Sequence, residues 1–336
     1  MNVLWLRATT GENISVGRER IADHLRERSI SVDVVNASGK DAFSAVLTGF
    51  LGDYDVIVGT TRVGLYIGYP LSRVLQTGFV ADIADPIVQI KHLRKCFYRF
   101  FERYEIEVLK RCKEIAVVYD ETADRLDAHD IDYTQVENGV DYEQFANPDP
   151  DAVIQSREIL ENAGVDMNNP IAIYLGGISS AYYLHDVLLA SERCPEWQFV
   201  FIGEGPLEST VNNVAADSAN VFFPGSFEYR LMPGFLNHAS AGLGIVPIEQ
   251  PLKILEYGAA SLPTIAMRSG AEKRFSDDEL FMIDPSPDTI VDALQTLRTD
   301  QKKAERLGEA LRNRAEGTLW SEIADTYYSL IERSNT

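Results

Sequence analysis

Lysine is scarce in this chain. Only 9 of its 31 cationic residues are Lys, the other 22 being Arg, and they stand against 51 Asp and Glu for a formal charge of −20. Nucleic-acid phosphates are gripped by clustered Lys and Arg, so an acidic chain with a pI near 4.6 is a poor nucleic-acid binder. Cysteine is rarer still. Cys96, Cys112 and Cys194 are odd in number, far apart and without C-x-x-C spacing, which argues against a disulfide framework or a zinc site and for a reducing compartment. No apolar run approaches the roughly 18 residues of a spanning helix. The first residues, MNVLWLRATTGE, lack the pattern of a signal peptide, so a cytoplasmic protein is expected. The 23 Gly and 14 Pro follow no period, which excludes collagen-like and low-complexity architectures.

What is present is a globular composition, 45% hydrophobic and 24% charged over 336 residues. At about 150 residues per domain, that length suggests two domains. High acidity with little Lys reads as adaptation to a salty cytoplasm, where a carboxylate-rich surface stays hydrated. An ordinary acidic protein is the other reading.

The first half alternates short apolar runs with helical periodicity. Strands are expected at Val3–Arg7, Ser31–Val35, Val56–Gly59, Gly78–Asp82 and Ile115–Val118, with an amphipathic helix at Arg18–Arg28. Asn138-Gly139 reads as a turn with positive φ, and Ala146–Asp151 as a linker. A second alternating series follows at Ile171–Leu175, Gln198–Ile202, Val221–Phe223, Gly242–Val246 and Thr264–Ala266, closed by helices at Pro287–Thr299 and Gln301–Ala315. Buried strands alternating with helices specify a parallel sheet covered on both faces. The fold class is therefore α/β: two doubly wound, Rossmann-like domains facing across a cleft, with domain boundaries expected at 1–145 and 151–316. No short-period repeat is visible.

Three strands of the second series end in glycine loops: Gly176-Gly177-Ile178-Ser179, Gly203-Glu204-Gly205-Pro206 and Gly225-Ser226. Glycines at strand ends let backbone N–H groups approach a phosphate, although one such loop alone is as well explained by turn geometry. The sharpest stretch is Pro251–Ala266, PLKILEYGAASLPTIA. Lys253 and Glu256 lie one turn apart on a helix face; a plain surface ion pair is the structural alternative.

That stretch resembles the donor-site helix and strand of the GT-B retaining glycosyltransferases, specifically glycosyltransferase family 4 (group 1), whose pattern runs Pro-x-Lys-x-x-Glu-Tyr-x-Ala-x-Gly-x-Pro. Glu137–Asp141 with Phe145 resembles the family's interdomain Asn-Gly-Val-Asp turn, and Ile202–Pro206 its Gly-x-Gly-Pro loop. Leu319-Trp320 resembles the start of its terminal helix, so residues 318–336 are expected to cross back onto the first domain. The resemblance implies a metal-independent hexosyltransferase that moves a sugar from a nucleotide-sugar donor to a glycan or lipid-linked saccharide, in surface glycoprotein or polysaccharide assembly. The nucleotide sugar is a substrate, and no cofactor is implied. A sugar-nucleotide epimerase of the same fold and a non-catalytic partner subunit are the alternatives.

Carried onto this sequence, the resemblance gives the donor site Gly176, Gly177, Ser179, Gly203, Gly205, Gly225, Ser226, Lys253 and Glu256. Glu256 would accept from the ribose hydroxyls and Lys253 would offset charge on the leaving diphosphate. Glu249 resembles the first acid of a paired-glutamate motif, one residue closer than usual. Where relatives carry an Arg and Lys phosphate clamp, this chain has Gly177 and Tyr182 or Tyr183, which shifts the phosphate charge onto Lys253, backbone amides and Arg230. On the acceptor side, Gly11, Asp82 and Asp85 are candidates, the two acids as a proton acceptor or orienting group or as helix caps.

Residues 91–113 stand apart, with 8 basic residues and three acids giving +5 in a chain of −20. Leu93, Phe97, Phe100, Phe101, Tyr104 and Val108 recur at helical spacing. Two readings stay open: a helix resting on the inner face of the cell membrane near a lipid-linked acceptor, or an aromatic core face with a solvated basic face opposite.

Overall fold

Two runs of strands separated by amphipathic helices build two parallel sheets, as a computed structural model of the chain shows. It describes residues 1–8, 14–84 and 95–335, with the side chains of 14–16, 95–100 and 181 left aside. The first run comprises β1 (Asn2–Arg7), α1 (Ile14–Glu27), β2 (Ser31–Asn36), α2 (Ala42–Leu51), β3 (Val56–Thr60), α3 (Thr61–Leu75) and β4 (Gly78–Ile83). It continues through α4 (Lys95–Leu109), β5 (Glu114–Val117), α5 (Asp120–Asp127) and β6 (Thr134–Gln135). The second run begins with α6 (Tyr142–Ala146), α7 (Pro150–Asn162), β7 (Ile171–Leu175), α8 (Leu184–Ser191), β8 (Gln198–Ile202), α9 (Glu208–Asp217) and β9 (Val221–Gly225). Then follow α10 (Met232–Asn237), β10 (Ala241–Gly244), α11 (Leu252–Ala259), β11 (Thr264–Met267), α12 (Arg268–Ala271), β12 (Phe281–Ile283), α13 (Pro287–Thr299), α14 (Gln301–Glu316) and α15 (Trp320–Ser334).

Strand order is β2-β1-β3-β4-β5-β6 in one sheet and β12-β11-β10-β7-β8-β9 in the other, and all pairings are parallel. The compact units are Met1–Asn138 with Trp320–Thr336, and Gly139–Leu319. The change of unit falls at 138/139, ahead of the Ala146–Asp151 stretch. The reason is packing: Tyr142 and Phe145 of α6 are buried in the second unit's core. The expected linker is instead a helix start, with Asp149 accepting from the Asp151 amide and Pro150 at the first helical position.

The expected turn at Asn138-Gly139 is corrected as well, because neither residue has positive φ. Within the second unit the Val140 amide donates to the Thr318 carbonyl at 3.0 Å and Val140 bridges Leu319, so the backbone passes extended. The two-residue β6 and three-residue β12 are too short to give a periodic signal and extend the expected sheets by one strand each.

Alternation along β7 shows how the second sheet is covered. Ile171, Ile173 and Leu175 enter one core with Phe235, Leu255 and Leu311, while Ala172 and Tyr174 enter the other with Leu188, Phe199 and Leu294. In the first unit, Leu4, Leu6, Ile57, Ala81 and Val117 form one buried face. On the opposite face, α15 packs along α1 where Gly17 lets the Trp320 ring approach; a Cβ there would lie 2.6 Å from the ring.

A buried polar network ties this face together. Arg18 of α1 donates to both carboxylate oxygens of Asp82, at 3.0 and 2.9 Å. Thr60 and Tyr327 donate to the same carboxylate, each at 2.6 Å, and the Trp5 indole donates to Thr60. Burial pushes the Asp82 carboxyl up, but the Arg18 charge and these hydrogen bonds outweigh it and hold the group below the usual carboxylate range. Asp82→Ala would leave the Arg18 guanidinium buried without its anion and should lower stability by about 3–5 kcal/mol, read by urea denaturation. A loss under about 1 kcal/mol would contradict the structural role assigned to this pair.

Candidate functional site

The three glycine loops of the second unit meet at the carboxyl ends of β7, β8 and β9. Gly203 and Gly205 have φ of 148° and 151°, conformations open to glycine. A Cβ on Gly203 would lie 1.9 Å from the Gly176 carbonyl oxygen. The loops are joined by backbone hydrogen bonds: Gly176 N to Ile202 O, Ile178 N to Glu204 O and Gly203 N to Gly225 O, at 2.9, 2.8 and 3.0 Å. The Gly205 amide donates to the Glu208 carboxylate at 2.7 Å.

This corrects the expectation that the amides of Gly176, Gly203 and Gly205 cradle a phosphate. Those three donors are already used, and the glycines serve close approach of loop to loop. Gly225 and Ser226 lie at the edge of the same cluster, with Ser226 exposed and open space around Gly225. Gly177 and Ser179 lie between β7 and the 3-10 turn Ser180–Tyr182.

Lys253 and Glu256 fall in the first and second turns of α11, as the sequence pattern required. The plain ion-pair alternative is not what the structure shows. The Lys253 Nζ is sealed from solvent, has no hydrogen-bond partner among the described residues, and stands 3.7 Å from the centroid of the Tyr174 ring. Tyr182 lies further off, at 5.8 Å from Nζ. Burial pushes the Lys253 ammonium down to about 7, against the raising pull of Glu256. Tyr174 anchors the adjoining loop by donating to the Gly177 carbonyl at 2.8 Å. Of Tyr182 and Tyr183, the two tyrosines the sequence left open, Tyr182 is the one whose ring faces the lysine.

Glu256 is 9% exposed and accepts from the Tyr229 hydroxyl at 2.7 Å. Its neighbour Tyr257 points the other way and accepts from the Leu175 amide at 2.9 Å, fixing α11 to the end of β7. Tyr174 and Tyr229 were not singled out from sequence. Tyr174 reads there as one more apolar strand residue, and nothing in the linear order pairs residue 229 with residue 256.

Other candidates stand elsewhere. Glu249 is engaged by Lys273 at 2.5 Å. Arg230 is exposed and paired with Glu228 at 2.7 Å, so the phosphate charge expected of it is directed to a carboxylate. Asp82 is closed inside the first unit by Arg18, Thr60 and Tyr327 and is corrected from acceptor-side candidate to structural anchor. Asp85 and Gly11 lie outside the described residues, as do residues 91–94. In the described part of the 91–113 segment, Val108 is core, and Phe101 and Tyr104 contact the Tyr66 ring at 6.2 and 5.1 Å. Glu105 is buried between Arg62 and Arg125, at 2.9 and 3.5 Å. Val108 fits the core-face reading, while Tyr104 is 39% exposed. Among the described residues there is no group of three or more His, Cys, Asp or Glu that could hold a metal, and no helix long and apolar enough to cross a membrane.

The chain is similar to known proteins in sequence and in fold. Residues 170–300 match the family model for Glycosyl transferases group 1, a span that contains the glycine loops, Lys253 and Glu256. A 207-residue stretch is 26% identical to sulfoquinovosyl transferase SQD2 of Arabidopsis thaliana, covering 57% of this chain and 39% of that protein. The chain thus spans well under half the length of the curated relative it matches. The fold is that of solved GT-B structures. The Anabaena protein HepE, solved with UDP and glucose, superposes with a TM-score of 0.79 at 15% identity, over 99% of this chain and 100% of that one. Sucrose-phosphate synthase from Thermosynechococcus elongatus gives 0.81 at 14% identity, over 99% and 98%.

The buried lysine has a measurable consequence. Between pH 7 and 10.5 the unfolded chain carries a proton on Lys253 that the folded chain does not, so its contribution makes stability rise with pH in that window. The stability of Lys253→Met relative to wild type should therefore shrink as pH rises from 7 to 10.5. A difference that is flat with pH would contradict the burial assigned to this ammonium.

Proposed function

We propose that this protein, whose residues 170–300 match the family model for Glycosyl transferases group 1, transfers a sugar with retention from a nucleotide-sugar donor to a hydroxyl of a glycan or lipid-linked saccharide. The observation that carries the reading is Lys253: an ammonium sealed on an aromatic face without a hydrogen-bond acceptor among the described residues, one turn before the buried acid Glu256. Keeping a cation there costs free energy, and a diphosphate would return to it the charged acceptor it lacks. Glu256 would take the ribose hydroxyls, placing the diphosphate toward the start of α11, where the helix dipole also favours negative charge. Lys253 would then offset the charge that develops on the leaving nucleoside diphosphate as the bond to the sugar breaks. That HepE is solved with UDP and glucose supports a nucleotide sugar as the donor class.

Purified protein is to be incubated with a panel of nucleotide sugars, with and without membrane extract. Nucleoside diphosphate released only in the presence of extract is the expected result. A new sugar epimer formed without extract would assign the chain to epimerisation, and absence of nucleotide binding would contradict both. Lys253→Met should lower turnover by about 10²–10³-fold; unchanged turnover would remove the lysine from the chemistry.

A further inference from the structure

The hydrogen bond between Tyr229 and Glu256 joins two parts of the second unit that are 27 residues apart in sequence. Tyr229 opens the 3-10 turn Tyr229–Leu231, which leads into α10. Its ring meets the Phe145 ring edge to face, with centroids 5.7 Å apart and planes at 73°. Phe145 is 2% exposed and fixed in the core beneath α11, so it is a rigid seat for that ring. The tyrosine is thus held from one side by a buried aromatic and reaches the carboxylate from the other.

We propose that Tyr229 is the positioning residue that sets the plane of the Glu256 carboxylate, and through it the discrimination between ribose and 2′-deoxyribose in the donor. The inference rests on the ribose assignment made above for Glu256. A carboxylate recognises a vicinal diol by presenting its acceptors at a defined angle, and the terminal torsion of Glu is broad when nothing fixes it. The Tyr229 hydroxyl donates to Oε1 and anchors that oxygen with a charge-assisted bond. With the plane set, a sugar lacking one hydroxyl leaves a buried acceptor unpaired, a loss that a freely turning carboxylate would partly recover.

The test compares equilibrium affinities of uridine, adenosine and guanosine diphosphates with their 2′-deoxy counterparts, using the base that binds most tightly. Wild type should favour the ribonucleotide by about tenfold or more. Tyr229→Phe keeps the ring on Phe145 and should cut that preference by about five- to tenfold while its thermal midpoint stays near that of wild type. Phe145→Leu keeps the hydroxyl but loosens its seat, and should reduce the preference by a smaller factor. Folded Tyr229→Phe or Phe145→Leu protein with the full wild-type preference would overturn the inference while leaving the ribose assignment intact. Wild type that binds both sugars equally would overturn the ribose assignment, and this inference with it.

Discussion

The meeting of Gly203 with the Gly176 carbonyl is the constraint on which the second unit's site depends. A side chain at residue 203 would fall inside the carbonyl of the neighbouring loop, so only glycine lets the ends of β7 and β8 close on each other. Once closed, the loops satisfy their own amides and carbonyls, a requirement for backbone this well packed. The end of β7 is then fixed twice more, by Tyr174 on the Gly177 carbonyl and by Tyr257 on the Leu175 amide. The Tyr257 bond brings α11 to the strand end, and α11 carries Lys253 and Glu256. Backbone packing thus decides where the charges stand.

The chain treats two buried cations in opposite ways, and the contrast separates structure from site. Arg18 in the first unit has a bidentate carboxylate, itself held by Thr60 and Tyr327, and burial is offset within the fold. Lys253 in the second unit has an aromatic face and no hydrogen-bond acceptor among the described residues, and its ammonium is pushed down to about 7. A cation–π contact at a desolvated position is worth about 2 kcal/mol, less than the several kcal/mol a buried ion forfeits in hydration. The first arrangement is complete. The second calls for an anion.

Much of the fold was legible because both sheets are buried on two faces, so their strands read as near-continuous apolar runs such as IAIYL and QFVFI. The pattern of α11 was legible for a different reason: Lys253 and Glu256 one turn apart need no tertiary information to share a helix face. What stayed hidden was pairing across the chain. Asp82 reads as an open acid at a strand end until Arg18 and Tyr327, 64 and 245 residues away, are seen to close it. The Lys273 partner of Glu249, 24 residues further on, is likewise invisible in the linear order. The role of the glycine loops was hidden too, since a loop rich in glycine looks the same whether its amides face a phosphate or another loop.

The central claim is that α11 and the loop after β7 form a nucleoside diphosphate site. Hydrogen–deuterium exchange of the whole chain, with and without the nucleoside diphosphate that binds most tightly, addresses it directly. Slowed exchange is expected at residues 252–260 and 176–183, with little change in the first unit's sheet. At saturating ligand, protection confined to the first unit, or none in those two segments, would contradict it.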